Sequence, residues 1–358
     1  MRSNEGVRHI QHIASMGLAQ HVAIPAMVDA LHEVIPANQF PFCWTNEDGM
    51  VVDFYGPGII PQTLEALMMI DRHTTPDDVP TIDRVLRGPL AFNNTALYRQ
   101  LGGWSHSAYF NDMLRGNLAE NSIDFPLRDA SGVRGAISVA RGINDRPMRA
   151  GEMRSVAALL PHFIHAMNAE PPGDMPEISE TSDAVFVIST ITGDIMSYSA
   201  GGANRVLQLY NSSLGKGVKF SDYQNRLPPA AMLVVDRLKL IQSGRTAQPA
   251  SLEVLTRWGL FRISAVPMQA APNLKSETVI VTIRPLIDKR LARAQRLIAS
   301  DLTLAERRVA LRMAGFGGGD AIARDLGLST GAYRQYAKRI YSALGVEGRI
   351  GVKAMLDS

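Results

Sequence analysis

Apolar residues recur at helical spacing through Met27-Val28-Asp29-Ala30-Leu31-His32-Glu33-Val34-Ile35, and Pro36 closes the run, so the pattern predicts a helix over 27–35. The period then changes. Phe42-Cys43-Trp44-Thr45 and Met50-Val51-Val52-Asp53-Phe54-Tyr55 are aromatic and β-branched, and they flank Asn46-Glu47-Asp48-Gly49, which predicts a hairpin. A second hairpin is expected from Ser122–Leu127 and Gly135–Ala140, with the polar stretch Arg128-Asp129-Ala130-Ser131-Gly132 between the strands. From Glu152 to Asn168 the spacing is helical again, with Val156, Leu159, Leu160, Phe163 and Met167 as its apolar stripe. Helices alternating with hairpins over 1–169 predict an α+β domain of sensor type.

Three prolines and one glycine crowd Glu170-Pro171-Pro172-Gly173-Asp174-Met175-Pro176, a composition that supports neither helix nor central strand, so 170–180 is expected to be a linker. Beyond it, Ala184–Ile188 and Ile195–Tyr198 bracket Thr192-Gly193-Asp194, and a helix is expected over Ala203–Tyr210. Strands follow at Ser251–Thr256, Leu260–Met268 and Thr278–Arg284. By order of elements and placement of turns, residues 1–169 resemble a GAF-like domain and 181–286 a PAS-like domain, both α+β. A linker helix is expected within 287–301.

The last segment is patterned for helices alone. Thr303 and Glu306 stand at the N-cap and the third helical position, where each side chain can satisfy a free backbone donor of the other residue. Val309, Ala310, Met313 and Ala314 share one face of the helix that follows, and Gly315–Gly319 ends it. A short second helix covers Asp320–Leu326, and Gly327-Leu328-Ser329 turns the chain into a third helix over Thr330–Leu344. The apolar stripe of that third helix, Tyr333, Ala337, Ile340, Tyr341 and Leu344, leaves Gly331, Arg334, Gln335, Lys338 and Ser342 on the opposite side.

A short helix, a glycine turn and a longer helix with a basic outer face form the geometry that seats a recognition helix in the DNA major groove. Leu302-Thr303-x-x-Glu306, Ile322-Ala323-x-x-Leu326-Gly327-Leu328-Ser329, Ile340-Tyr341-x-x-Leu344-Gly345-Val346 and Arg349 together resemble the LuxR/GerE-type helix-turn-helix family. The resemblance implies an all-α four-helix DNA-binding domain over 302–358, double-stranded DNA and a second copy of the chain as partners, and DNA contacts at Thr330, Arg334, Gln335, Tyr336, Lys338 and Arg339. The family usually carries Thr-Val-Lys-x-His early in this helix, where the present chain has Ala332-Tyr333-Arg334-Gln335-Tyr336, and Ala343 stands where lysine is common. Those departures, with the run Gly317-Gly318-Gly319, leave open an alternative in which the chain is a protein-interaction scaffold with a degenerate helix-turn-helix.

Charge sharpens this division. Residues 287–358 hold 13 Lys and Arg against 7 Asp and Glu, a net +6, whereas the rest of the 358-residue chain nets −3. Positive charge gathered on one module is what a phosphate-binding domain requires. Cys43 is the one cysteine, so no intramolecular disulfide can form, and the lack of a signal-like N-terminal run or a long apolar span leads us to expect a cytoplasmic protein. Trp44, Tyr55, Trp104 and Tyr109 are candidates to line a pocket for a small-molecule effector, although ordinary core packing explains them equally well. His162 and His165 lie on one helix without a supporting cluster, so no metal is expected. The nucleophile-elbow, P-loop, dinucleotide and zinc-protease motifs are missing too, so neither a cofactor nor an enzymatic activity is expected.

Overall fold

The computed structural model describes residues 2–47, 51–56, 92–93, 121–142, 144–169, 178–180, 184–210, 223, 225–268, 278–298, 300–315 and 317–357. They fall into two compact units, one of residues 1–171 with 183–284, the other of residues 172–182 with 285–358. The first is α+β with antiparallel sheets and the second is largely helical.

In the first unit, α1 (Arg2–Ala14) and α2 (Gln20–Val34) precede β1 (Phe42–Thr45) and β2 (Val51–Tyr55). After β3 (Phe92–Asn93) come β4 (Asn121–Asp129) and β5 (Gly132–Arg141), then α3 (Ala150–Ala157) and α4 (Leu160–Met167). The sheet order is β2-β1-β5-β4-β3. Register fixes its two faces: Phe42 pairs with Ile137 and Ile137 with Phe125, so these large side chains point together toward the helices, where the Phe42 ring stacks on Phe163 of α4.

Two boundaries differ from the sequence expectation. The helix expected over 27–35 begins at Gln20 and takes Pro25 into its interior, because Ala23 and Ile24 are buried there and that burial outweighs a lost hydrogen bond. The single helix expected over 152–168 is instead α3 and α4, broken at Ala158-Leu159, since Pro161 has no N–H to carry the α3 ladder forward.

The second sheet runs β8-β7-β11-β10-β9, built from β7 (Val185–Thr190), β8 (Ile195–Tyr198), β9 (Ser251–Thr256), β10 (Gly259–Pro267) and β11 (Thr278–Asp288). Alternate residues Val185, Val187, Phe261, Ile263, Val279, Val281 and Ile283 form its inner face, against which α5 (Gly202–Tyr210) and α6 (Pro229–Gln242) lay Val206, Leu209, Ala231, Val234, Val235 and Leu238. Each large apolar side chain contributes roughly 1.5–3 kcal/mol when fully removed from water.

Within this one unit a polar joint ties the two sheets. Asp53 on β2 accepts from Nε2 of His21 on α2 at 3.1 Å through one oxygen, and its other oxygen pairs with Nη2 of Arg257, in the β9–β10 turn, at 2.8 Å. The carboxylate is 6% exposed. The His21 imidazole stacks on Trp44 at 4.7 Å, and the edge of Trp258 meets both rings. Asn204 adds a hydrogen bond to the Gly56 carbonyl.

In the second unit β6 (Ile178–Glu180), inside the segment expected to be a linker, pairs antiparallel with Leu286, Ile287 and Asp288 at the end of β11. Its three residues are too few to show alternation in the sequence. Five helices follow: α7 (Lys289–Ile298), α8 (Leu304–Ala314), α9 (Gly319–Asp325), α10 (Thr330–Leu344) and α11 (Gly348–Asp357).

Because Asp53 neutralises a guanidinium that is itself largely covered, Asp53→Ala takes the facing carboxylate from that charge and from His21. The tryptophan-reported unfolding transition in urea should then lose about 3–5 kcal/mol. A loss below about 1 kcal/mol would show that the joint does not hold the two sheets together.

Candidate nucleic-acid interface

The helical unit is organised around the inner side of α10. Tyr333, Ala337 and Ile340 are buried with Val309, Ala310, Met313 and Ala314 of α8, Ile322 and Ala323 of α9, and Val352 and Leu356 of α11. Leu297 of α7 joins the same core, and Arg293 of α7 pairs with Asp357 of α11 at 2.7 Å. The segment expected to be a linker helix is therefore packed into the helical body. Arg293 donates to the Asp357 carboxyl and holds it below its ordinary pKa, so this tie is present at neutral pH and lost in acid.

Local chemistry sets each helix end. Thr303 and Glu306 form the expected reciprocal cap, with Glu306 Oε2 accepting from the Thr303 backbone N–H at 2.8 Å. Between α9 and α10 the chain reverses at Gly327, whose φ of +65° suits glycine, and the Leu328 N–H wraps back to the Ala323 carbonyl. Ser329 Oγ then caps α10 by accepting from the Ala332 N–H at 3.1 Å, and Gly345, left-handed again, ends it.

The glycine run before α9 has identifiable work. Gly317 has φ of +122°, and a Cβ on Gly319 would stand 2.8 Å from Cε1 of Tyr333, so the missing side chain is what lets the tyrosine ring lie on the start of α9. Gly318 has open space around it. Burial raises the pKa of the Tyr333 phenol, an effect that the nearby Arg349 charge partly offsets.

With the inner stripe fixed, Thr330, Arg334, Gln335, Lys338 and Arg339 are exposed. Thr330 Oγ1 reaches Asp320 Oδ1 at 3.5 Å, and Arg339 lies 3.9 Å from Glu306. Tyr336, the remaining expected DNA contact, is half-buried and packs against the core, because it falls between the Tyr333 and Ile340 turns.

The cations of this unit divide by what holds them. Arg290 binds Asp288, Arg293 binds Asp357, Arg312 binds Asp325, and Arg296, Arg307, Arg324 and Arg349 donate to backbone carbonyls. Arg308, Arg334 and Lys338 have no hydrogen-bond or ion-pair partner among the described residues. Arg308 sits exposed on α8. Helical spacing alone turns it away from the core, but nothing local in the sequence marks it as a cation left without a partner.

The candidate ligand residues fare differently. Trp44 is buried in the joint, its Nε1 donating to Gln20 Oε1 at 3.1 Å, and Tyr55 donates its hydroxyl to Asp29. Trp104 and Tyr109 lie outside the described residues. Among the described residues no group of three or more His, Cys, Asp and Glu is placed to hold a metal ion, and no helix is long and apolar enough to cross a membrane.

No family model matches the chain, and no curated protein does. Among solved structures, the chain is similar to the Vibrio cholerae VqmA dimer, described as a LuxR-type receptor, at 13% identity over 49% of this chain and 82% of that one, with a TM-score of 0.19. It is also similar to the E. coli DhaR(N)–DhaL complex, at 12% identity over 77% of this chain and 86% of that one, with a TM-score of 0.21. Likenesses this loose fix neither a fold nor a function.

Adjacent glycines should respond with opposite signs. Gly319→Ala drives a methyl into the Tyr333 ring and should cost about 1–3 kcal/mol. Gly318→Ser instead supplies an N-cap for α9 in open space and should stabilise by a few tenths of a kcal/mol. Thermal denaturation followed by far-UV circular dichroism reads both, and equal destabilisation would refute the packing role assigned to Gly319.

Proposed function

We propose that the protein is a DNA-binding transcription regulator of the LuxR/GerE type, not an enzyme, whose residues 302–358 act as a helix-turn-helix with α10 in the major groove. One observation carries this reading. Most cations of the helical unit are engaged inside it, while Arg334 and Lys338, one turn apart on the outer side of α10, are open to phosphate and base edges, with Gln335 exposed beside them. Their place on the outer face of α10, beside the exposed Gln335, is what a recognition helix requires. Gly317 and Gly319 support the same reading, because the first takes a positive φ in the turn and the second leaves room for Tyr333 of α10, where the sequence had made the run a sign of degeneracy.

The regulator works as a cytoplasmic homodimer, since a helix-turn-helix reading paired half-sites needs a two-fold axis. Its GAF-like and PAS-like segments together sense a small-molecule or protein signal.

Salt dependence on a random-sequence duplex tests the interface without knowledge of the operator. Lys338→Ala should lower affinity on all sequences and reduce the slope of log K against log salt by about one. Arg334→Ala should behave likewise if the guanidinium meets phosphate, or cost about 1–3 kcal/mol at one base position of a selected site if it reads a base. Neither should change thermal stability. Ile340→Ala, which empties core volume, should cost about 2–5 kcal/mol and abolish binding by unfolding. Wild-type affinity and slope in both surface variants would refute the recognition face.

A further inference from the structure

An arginine outside the helix pair holds the turn that leads into it. Arg349, in the first turn of α11, donates from Nε to the Met313 carbonyl at 2.7 Å, from Nη2 to the Gly315 carbonyl and from Nη1 to the Gly317 carbonyl. Met313 lies in the last turn of α8, where helix carbonyls have no partner within the helix and the dipole is negative. Many helices satisfy those carbonyls by turning left-handed at a glycine, but Gly315 is extended, with φ of −81° and ψ of −169°. The guanidinium replaces that backbone cap. Its planar fork spans carbonyls that belong partly to α8 and partly to the turn, and it fixes the path of the chain into Gly318 and Gly319.

The path matters because Gly319 is the surface on which the Tyr333 ring rests, and Arg334 follows Tyr333. A shift of the turn moves α9, and the ring must then follow or lose its contact. We infer that Arg349 is a positioning residue for DNA recognition, setting the placement of α9 and of the outer face of α10 without touching DNA. This rests on the DNA-binding reading above. Each guanidinium nitrogen of Arg349 is committed to a backbone carbonyl, so it is not a further phosphate contact.

The full-length protein tests this with Arg349→Lys and Arg349→Gln. A lysine keeps the charge but offers a compact ammonium that cannot span the same carbonyls. Both variants should retain the helical circular dichroism of the wild type. Hydrogen exchange should accelerate at the Ala321 and Ile322 amides, whose acceptor is the Gly318 carbonyl, while the middle of α10 keeps its protection. Affinity for a random-sequence duplex should fall about tenfold, with the salt slope unchanged because no phosphate contact is lost.

A slope reduced by about one in Arg349→Gln would make Arg349 a direct phosphate contact and overturn the inference. Wild-type exchange at Ala321 and Ile322 would overturn it as well, as would loss of helicity in both variants, which would make the residue a support of the whole unit. Unchanged affinity alongside accelerated exchange would separate the turn from recognition and so overturn it too. Absence of duplex binding by the wild type refutes the DNA-binding reading, and the exchange measurement still tells whether Arg349 holds the turn.

Discussion

Burial of Tyr333, Ala337 and Ile340 against three neighbouring helices leaves α10 one rotational setting, and everything else about the candidate interface follows from it. A helix with one stripe locked exposes the complementary stripe whatever its sequence, so the chemistry at 334, 335 and 338 is displayed by packing forces applied elsewhere. The anchors of that stripe are short-range in space and spread along the chain. Capping at Thr303 sets α8, capping at Ser329 sets the start of α10 itself, and reversal at Gly327 and the bare backbone of Gly319 set α9 beside it. None of them touches the outer face.

The second sheet and the joint at Asp53 are held by different kinds of force. The inner face of the sheet relies on alternating apolar residues, a non-directional attraction that tolerates small displacements, whereas the joint depends on one carboxylate meeting two partners in set directions. A buried ion pair adds little over an apolar contact of the same volume, but it punishes misalignment severely. Geometry, more than stability, is what such a contact secures.

How much of this is legible in the sequence depends on how local the cause is. The bounds of α10 can be read directly, because Ser329, the apolar period and Gly345 are all within the segment. The hairpins follow from their turns, although β4 and β5 run longer than expected and meet at a tighter reversal. Pro25 hides the first turns of α2, since only burial of Ala23 and Ile24 explains a proline tolerated there. Pro161, conversely, marks a break that the continuous stripe from Val156 to Met167 disguises. The Arg349 clamp and the Asp53–Arg257 pair are beyond reach. Each joins residues far apart in the chain: Arg349 stands out in the helix-turn-helix pattern, yet nothing local names the carbonyls it meets, and Asp53 is only a charged residue in Val51-Val52-Asp53-Phe54-Tyr55.

The joint also bears on how chains of this kind can be recombined. With the acid in one half and the guanidinium in the other, neither half is a free-standing cassette. A chimaera that kept residues 1–169 and took its second sheet from another protein would inherit a buried acid with no arginine opposite, and one made the other way would inherit Arg257 without the carboxylate. Exchange of either half must therefore move positions 53 and 257 together, or replace both with apolar residues of matching shape.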